Sequence, residues 1–378
     1  MLFTTSVPQI ISYYPKYIYL DKVLEQSGLN KVKIYVDIKN CFQGLYLEPF
    51  ARQIISNSLR SRHLDSSIFE SFLEFVSFHK VYARKRGIEL EMFFFFDFGK
   101  SEYHHREFPT YKENRIITDM FQLGEEYNEL YRKVIKKNLD LILNLGNRLP
   151  GVFVVKLDYC ETDFIPYYLI NRVFNDSTSY VHIIYSNDKD MYQTLNDSNI
   201  FQYVRKKNKI EIINSKDTYR MYLKEDIPLD PSYIVLLMSI NGDMGDSVPG
   251  IKGIAEKTIS KHWTDIPQLF GTMDNVYERI KLEQPLINQY HSNSRFVSLI
   301  KDNESIIRRN VKLISFKLIS DWIDSNSTTT LIQKKNSIHS SVCKDKKTIR
   351  SGKVIYDAFE KVGISLSVSE STINNLFD

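Results

Sequence analysis

The sequence predicts an α/β domain on a largely parallel sheet, followed by a smaller helical unit. Three observations carry that prediction. Short β-branched and aromatic runs alternate with segments of helical periodicity as far as residue 213. Four of those runs stop at or just before acidic residues. Beyond Asp230-Pro231 the pattern changes to short helices around a glycine-rich turn. The 378 residues also exceed one average domain, since a domain takes ~150 residues.

In chain order, residues 1–30 read as an N-terminal extension of unassigned structure. Ile34-Tyr35-Val36 is a short buried strand ending at Asp37. Apolar residues at Ile68, Phe72, Phe75 and Val76 make a helical stripe that closes on Arg84-Lys85-Arg86. Residues 92–96 form an aromatic strand running into Asp97. A second helical stripe through Leu139, Ile142 and Leu143 is closed by Gly146. Residues 152–157 form a third strand, with a helix starting near Glu161, and residues 181–185 a fourth, ending before Asp188. Residues 201–204 and 210–213 flank a polar segment and predict a hairpin. The α/β unit therefore covers 31–229, a helical unit 230–320, and a Ser/Thr-rich linker and tail 321–378.

Composition narrows the function classes. Hydrophobic residues make up 43% and charged residues 25%, as in ordinary globular proteins. Fifty basic against 46 acidic residues give a net charge of +4, but the basic residues are clumped at Arg84–Arg86, Arg132-Lys133, Lys136-Lys137 and Arg205–Lys207. Clumped basic charge on a near-neutral chain suits a polyanion. Three scattered cysteines, Cys41, Cys160 and Cys343, argue against a disulfide framework or a zinc site. No apolar run approaches the ~18 residues that cross a bilayer, and no signal peptide is evident. The expectation is a monomeric cytoplasmic protein with no membrane partner.

The acids matter more. Asp37, Asp97, Glu161 with Asp163, and Asp188 with Asp190 all follow strands, and the carboxyl ends of parallel strands converge on one crevice. Carboxylates gathered there repel one another unless cations neutralise them. Oxygen ligands without His or Cys suit hard ions such as Mg²⁺, with Mn²⁺ as a substitute. Two such ions ~4 Å apart can activate water and stabilise the leaving oxygen of a phosphodiester.

Four segments then resemble the 5′-nuclease (flap endonuclease and 5′–3′ exonuclease) family, in its compact bacteriophage form. Residues 97–115, Asp-Phe-Gly-Lys-Ser-Glu-Tyr-His-His-Arg-Glu-Phe-Pro-Thr-Tyr-Lys-Glu-Asn-Arg, resemble its run from a metal aspartate to a Tyr-Lys-x-x-Arg element. Tyr-Cys-Glu-Thr-Asp at 159–163 and Ser-Asn-Asp-Lys-Asp at 186–190 are similar to its acidic blocks. Asn-Gly-Asp-Met-Gly-Asp-Ser-Val-Pro-Gly-Ile-Lys-Gly-Ile-Ala-Glu-Lys-Thr at 241–258 is similar to its most specific signature. Order and spacing agree over about residues 31–265.

The resemblance implies a PIN-like α/β/α nuclease domain with a helical arch at about 100–146, then a helix–hairpin–helix domain. Asp37, Asp97, Glu161 and Asp163 would serve mainly one metal; Asp188, Asp190, Asp243 and Asp246 mainly the other. Lys112 and Arg115, three apart and on one face if helical, would grip the scissile phosphate as the catalytic cations. Gly250, Lys252, Gly253, Lys257 and Lys261 would contact duplex DNA, and a K⁺ could sit on the hairpin carbonyls. The substrates implied are DNA with 5′ flaps or ends and RNA/DNA hybrids such as RNA primers. The source implied is a phage, with action in the host cytoplasm. Where the family usually has a second Asp after the equivalent of Asp163, this chain has Phe164, expected beside the metals. That departure leaves a structure-specific DNA-binding protein with weakened catalysis as the alternative. Tyr103, Tyr111, Tyr127 and Tyr131 are candidate stacking platforms. Partner candidates are a single-strand-binding protein and a replication clamp, the latter docked through Ile373, Leu376 and Phe377.

Overall fold

Near-continuous apolar strands need cover on both faces, and the sheet here receives it. The computed structural model describes residues 18–38, 67–113, 133, 135–174, 178–206, 209–325, 328–343 and 369–377. Strands β1 (Lys31–Asp37), β2 (Glu89–Phe98), β3 (Val152–Asp158), β4 (Val181–Tyr185), β5 (Ile200–Lys206) and β6 (Lys209–Ile213) form one sheet in the order β3-β2-β1-β4-β5-β6. All neighbours are parallel except β5 and β6, which pair antiparallel, Tyr203 opposite Ile212. The chain steps outward from β1 in both directions, so the strand order reverses beside β1. In open α/β sheets that is where ligands bind, beyond the carboxyl ends.

The period of two along each strand sorts the core into two layers. Ile34, Val36, Phe94, Phe96 and Val154 face the helix Ser67–Arg86, whose Phe72 meets Phe94 edge-on at 4.7 Å. Tyr35, Phe93, Phe95, Val155 and Leu157 face the other side, in a core that continues through the helix Ile234–Asn241 to Ile338. The helical half is built from short helices, among them Glu256–Lys261, Arg295–Asp302, Glu304–Ile314 and Phe316–Asp324.

Both chain ends differ from expectation. Within residues 1–30 there is a helix, Ile18–Ser27, with Leu20 and Val23 buried. The linker expected over 325–343 is largely a helix, Thr329–Cys343. Its Leu331 and Ile338 are buried, and Lys334 pairs with Glu102 at 3.0 Å. Ser/Thr composition hid a stripe carried by residues seven apart. Ile373 and Leu376 are fully buried against the same helix as Phe72, and Lys80 donates to the Leu376 carbonyl at 2.6 Å. Their burial in the protein's own core takes away the anchors of the expected clamp-docking peptide. The expected helix near Glu161 begins at Ile165, preceded by Phe164. Among the described residues no helix is long and apolar enough to cross a membrane.

Candidate metal centre and nucleic-acid interface

The carboxyl end of the sheet delivers the acids by register. Asp37, the last residue of β1, lies opposite Phe95, so Asp97, two residues further along β2, leaves the same face one step on. After β3 the chain reverses at Tyr159, whose φ is +56° and whose ring lies over Gly99. A Cβ at Gly99 would fall 2.7 Å from that ring. The turn carries Glu161 and Asp163 back over the crevice, with the Thr162 N–H donating to Asp97 Oδ2 at 3.3 Å. After β4, the Asp188 N–H donates to Ser186 Oγ at 3.1 Å and Asp188 Oδ1 accepts the Asp190 N–H at 2.9 Å. Gln202, buried in β5, donates to the Ser186 and Asp188 carbonyls at 2.8 Å each. Asp243 and Asp246 come from the loop after the helix Ile234–Asn241, where Asp243 accepts the Gly245 N–H at 2.9 Å.

Charge couples these groups. Burial pushes Asp163 well above the usual carboxylate range, reinforced by Asp37, Asp188, Glu161 and Asp97. Burial likewise raises Asp190, with Asp188, Asp243 and Asp246 adding to it. Asp188 is raised by burial and feels Asp246 and Asp243. Burial opposes ionisation of Glu161, yet His104, Lys112 and the Tyr111 hydroxyl together hold it low. Asp188 is felt by both Asp163 and Asp190, so the acids adjoin through it.

Cationic side chains already reach into the cluster. Lys112 pairs with Glu161 and lies 3.5 Å from Asp246, and Lys189 pairs with Asp243 at 3.1 Å. Among the described residues, no three His, Cys, Asp or Glu side chains stand close enough around one point to hold an ion. The donors are all carboxylate oxygens, and those of Asp163, Asp188 and Asp190 resist ionisation side by side. That chemistry fits hard divalent cations.

Lys112 is not on a helix. Its φ is +58° and its N–H donates to the Asp246 carbonyl at 2.8 Å, in a turn after the helix Glu102–Glu107. The helical face shared with Arg115 is therefore absent at Lys112, and Arg115 lies outside the described residues, as do Tyr127 and Tyr131. Tyr111 and Tyr103 are about 95% buried and are not stacking platforms. The Tyr111 hydroxyl donates toward Glu161 at 3.0 Å and Asp246 at 3.2 Å, bridging the two acidic groups. His104 stacks on the Tyr111 ring at 4.5 Å and reaches the Leu313 carbonyl at 3.0 Å. Tyr111 was expected as a stacking platform and instead bridges acids, while His104 and Lys189 were not expected as site residues. Position alone could have flagged Lys189, between Asp188 and Asp190.

Phe164 does not line the crevice. It is 1% exposed, belongs to the core that also holds Tyr103, Cys160 and Ile165, and lies edge-on to Tyr168 at 5.9 Å. Asp163 feels the charges of Asp37, Asp97, Glu161 and Asp188, whereas Phe164 lies in the core. The reading of weakened catalysis rested on Phe164 and loses its ground.

The glycine-rich turn is shaped as expected of a hairpin between helices. Gly250 passes so close to Asn241 that a Cβ would fall 1.9 Å from its carbonyl oxygen. Gly253 has a φ of +91°, a conformation that favours glycine. Ile251 and Ile254 turn inward, leaving Lys252, Lys257 and Lys261 exposed.

No family model matches the chain. A 5′–3′ exonuclease of Halalkalibacterium halodurans is 31% identical over 128 residues, 33% of this chain and 36% of that protein. DNA polymerase I of Lactococcus lactis subsp. cremoris is 29% identical over 186 residues, 49% of this chain and 19% of the polymerase. That of Bacillus caldotenax is 28% identical over 215 residues, 57% and 22% of the two chains. The chain thus spans about a third or less of these relatives' lengths. Among solved structures, the bacteriophage T5 5′-exonuclease with bound zinc superposes with a TM-score of 0.53 at 19% identity, covering 82% of this chain and 99% of that one. A complex of the bacteriophage T5 flap endonuclease with DNA and metal ions gives 0.55 at 18% identity, covering 81% and 97%. At those identities the likeness is one of fold alone, a mostly parallel sheet flanked by helices.

Proposed function

We propose that this chain, with the fold of the bacteriophage T5 5′-exonuclease and the motifs of the 5′-nucleases, is a metal-dependent 5′-nuclease acting on branched or 5′-ended DNA. The observation that carries the reading is the convergence of acids from five chain segments at the strand-order reversal, with Lys112 among them. Lys112 and Lys189 now pair with some of these acids, and among the described residues no three stand around one point. Once drawn together by the ion, Asp37, Asp97, Glu161 and Asp163 would serve one Mg²⁺, and Asp188, Asp190, Asp243 and Asp246 a second. Bound there, the ions supply an activated water and neutralise charge at the leaving oxygen.

The chain's own groups do the rest. Lys112, lying between the two acidic groups, offsets negative charge on a scissile phosphate brought beside it. Tyr111 keeps Glu161 and Asp246 aimed into the crevice. Lys252, Lys257 and Lys261 draw duplex phosphates onto the hairpin, and its backbone carbonyls suit a K⁺. Removal of RNA primers belongs to the same reading, since cleavage from a 5′ end does not need the base edges to be read.

The test is digestion of labelled 5′-flap, nicked, blunt and RNA-primed duplexes in Mg²⁺, in Mn²⁺ and in EDTA. Metal-dependent release of short 5′ products from flaps is expected. A Lys112→Ala variant should lose far more single-turnover rate than affinity. Tight binding to branched DNA without cleavage in either metal would overturn the assignment.

A further inference from the structure

Helix Glu304–Ile314 ties together the two surfaces that the proposed function assigns to DNA. From its buried side Asn310 donates to the Ser239 carbonyl at 2.8 Å and the Pro249 carbonyl at 2.9 Å, fixing the helix to the chain entering the hairpin. At its far end the Lys312 carbonyl accepts from Tyr103 at 2.9 Å. Leu313 packs with Val248 and with Tyr111, the residue before Lys112, and Phe108 closes that small core. Arg309, which immediately precedes Asn310, touches both attachments, bonding Asn310 and lying over Phe108.

Arg309 is half-buried, with its guanidinium 4.4 Å over the Phe108 ring. Its Nε and Nη2 donate to Asn310 Oδ1 at 3.2 and 3.0 Å. Its neighbours have acids: Arg308 pairs with Glu304 and Lys312 with Glu107, both at 3.3 Å. Arg309 has no carboxylate among the described residues. A guanidinium carries five N–H donors, and beyond Asn310 Oδ1 the remaining ones meet no acceptor among the described residues. Partial burial lowers the guanidinium's pKa with no described carboxylate beside it to offset the loss, while its unbonded donors stay open to the surface. The fork suits two oxygens of one phosphate, and phosphate contacts position a strand without reading its sequence.

We propose that Arg309 is a phosphate-binding residue, holding a nucleic-acid strand where it passes from the hairpin surface to the metal-site surface. The proposal rests on the 5′-nuclease reading and adds to it a backbone contact that none of the sequence motifs contains. Phe108 and Asn310 orient the guanidinium, and the phosphodiester supplies the missing negative charge.

The experiment is equilibrium binding of a 5′-flap duplex in EDTA, titrated with salt, for wild type, Arg309→Gln and Arg309→Lys. Losing one phosphate contact lowers the log–log salt slope by ~0.9, so from about 50 to 200 mM salt Arg309→Gln should lose about threefold less affinity than wild type. Arg309→Lys should keep the wild-type slope. An Arg309→Gln protein of reduced affinity but unchanged slope would make Arg309 a prop for Asn310 and overturn the proposal. Should wild type itself bind flap DNA with no salt dependence, the 5′-nuclease reading falls first. Phenylglyoxal labelling of the wild-type protein covers the case in which Arg309→Gln does not fold. Flap DNA should shield Arg309 from the reagent, and equal labelling with and without DNA would refute the contact.

Discussion

Replacing Phe164 by Asp separates the motif-based expectation from the observed packing. If Phe164 stood beside the metals, Phe164→Asp would restore a missing ligand and lower the Mg²⁺ concentration giving half-maximal cleavage. The ring is instead 1% exposed and lies in the core shared by Tyr103, Cys160, Ile165 and Tyr168. Truncating a buried Phe costs about 3–5 kcal/mol, and a carboxyl left in that cavity adds the cost of an unpaired polar group, ~1–3 kcal/mol. A loss of at least ~4 kcal/mol is expected, a large part of the ~5–15 kcal/mol that keeps a domain folded. Phe164→Leu, a smaller change in volume, should lose about 1 kcal/mol. Urea unfolding in EDTA reads the stability, and cleavage of a 5′-flap duplex across Mg²⁺ concentrations reads the site. An Asp variant as stable as wild type, with a lowered Mg²⁺ midpoint, would refute the core placement.

Three further outcomes are expected. Asp190→Asn should abolish cleavage yet stabilise the metal-free protein by about 1 kcal/mol at neutral pH, because it removes one of several buried like charges. Asp190 is raised in the fold, so its ionisation costs stability as pH climbs above about 4, and the gain should vanish in acid. Equal urea midpoints for the two proteins at pH 8 would contradict this. Deleting residues 369–378 uncovers the pocket of Ile373 and Leu376 and should cost about 2–4 kcal/mol; an unchanged midpoint would show that the C-terminal helix does not hold. His79 is buried against Tyr185 and the Phe75 carbonyl, and burial lowers its pKa to about 4. A depressed histidine contributes stability that is complete above its unfolded value near 6.5 and drains away as pH falls toward 4, up to about 3 kcal/mol. His79→Gln should flatten that limb of the stability–pH curve, and an identical limb would place the acid sensitivity elsewhere.

Much of the fold was legible because its signals are local. The aromatic run of β2, the Ile-Tyr-Val of β1 and the break at Asp230-Pro231 each announce their element within a few residues. The acids were legible for the same reason, since Asp37, Asp97, Asp188 and Asp190 follow strands whose parallel pairing brings their ends together. The helix Thr329–Cys343 was not legible, because Leu331 and Ile338 in a Ser/Thr-rich stretch become a buried face only when β3 and the helix Phe316–Asp324 are there to receive them. Nor was the bridge from Tyr111 to Glu161 and Asp246, which joins residues 50 and 135 positions apart.

By itself, then, the sequence determined the α/β class, the strand ends that carry acids, the glycine turn and the lysines that surround it. Those features depend on residue type and spacing along a few turns or strands. Only the tertiary structure decided that Phe164 faces the core while Asp163 faces the crevice, that Lys112 sits in a left-handed turn between two groups of acids, and that Ile373 and Leu376 close the core instead of awaiting a partner. In each case the choice depends on which distant surface gains a neighbour, a free-energy difference set by burial and charge across segments far apart in the chain.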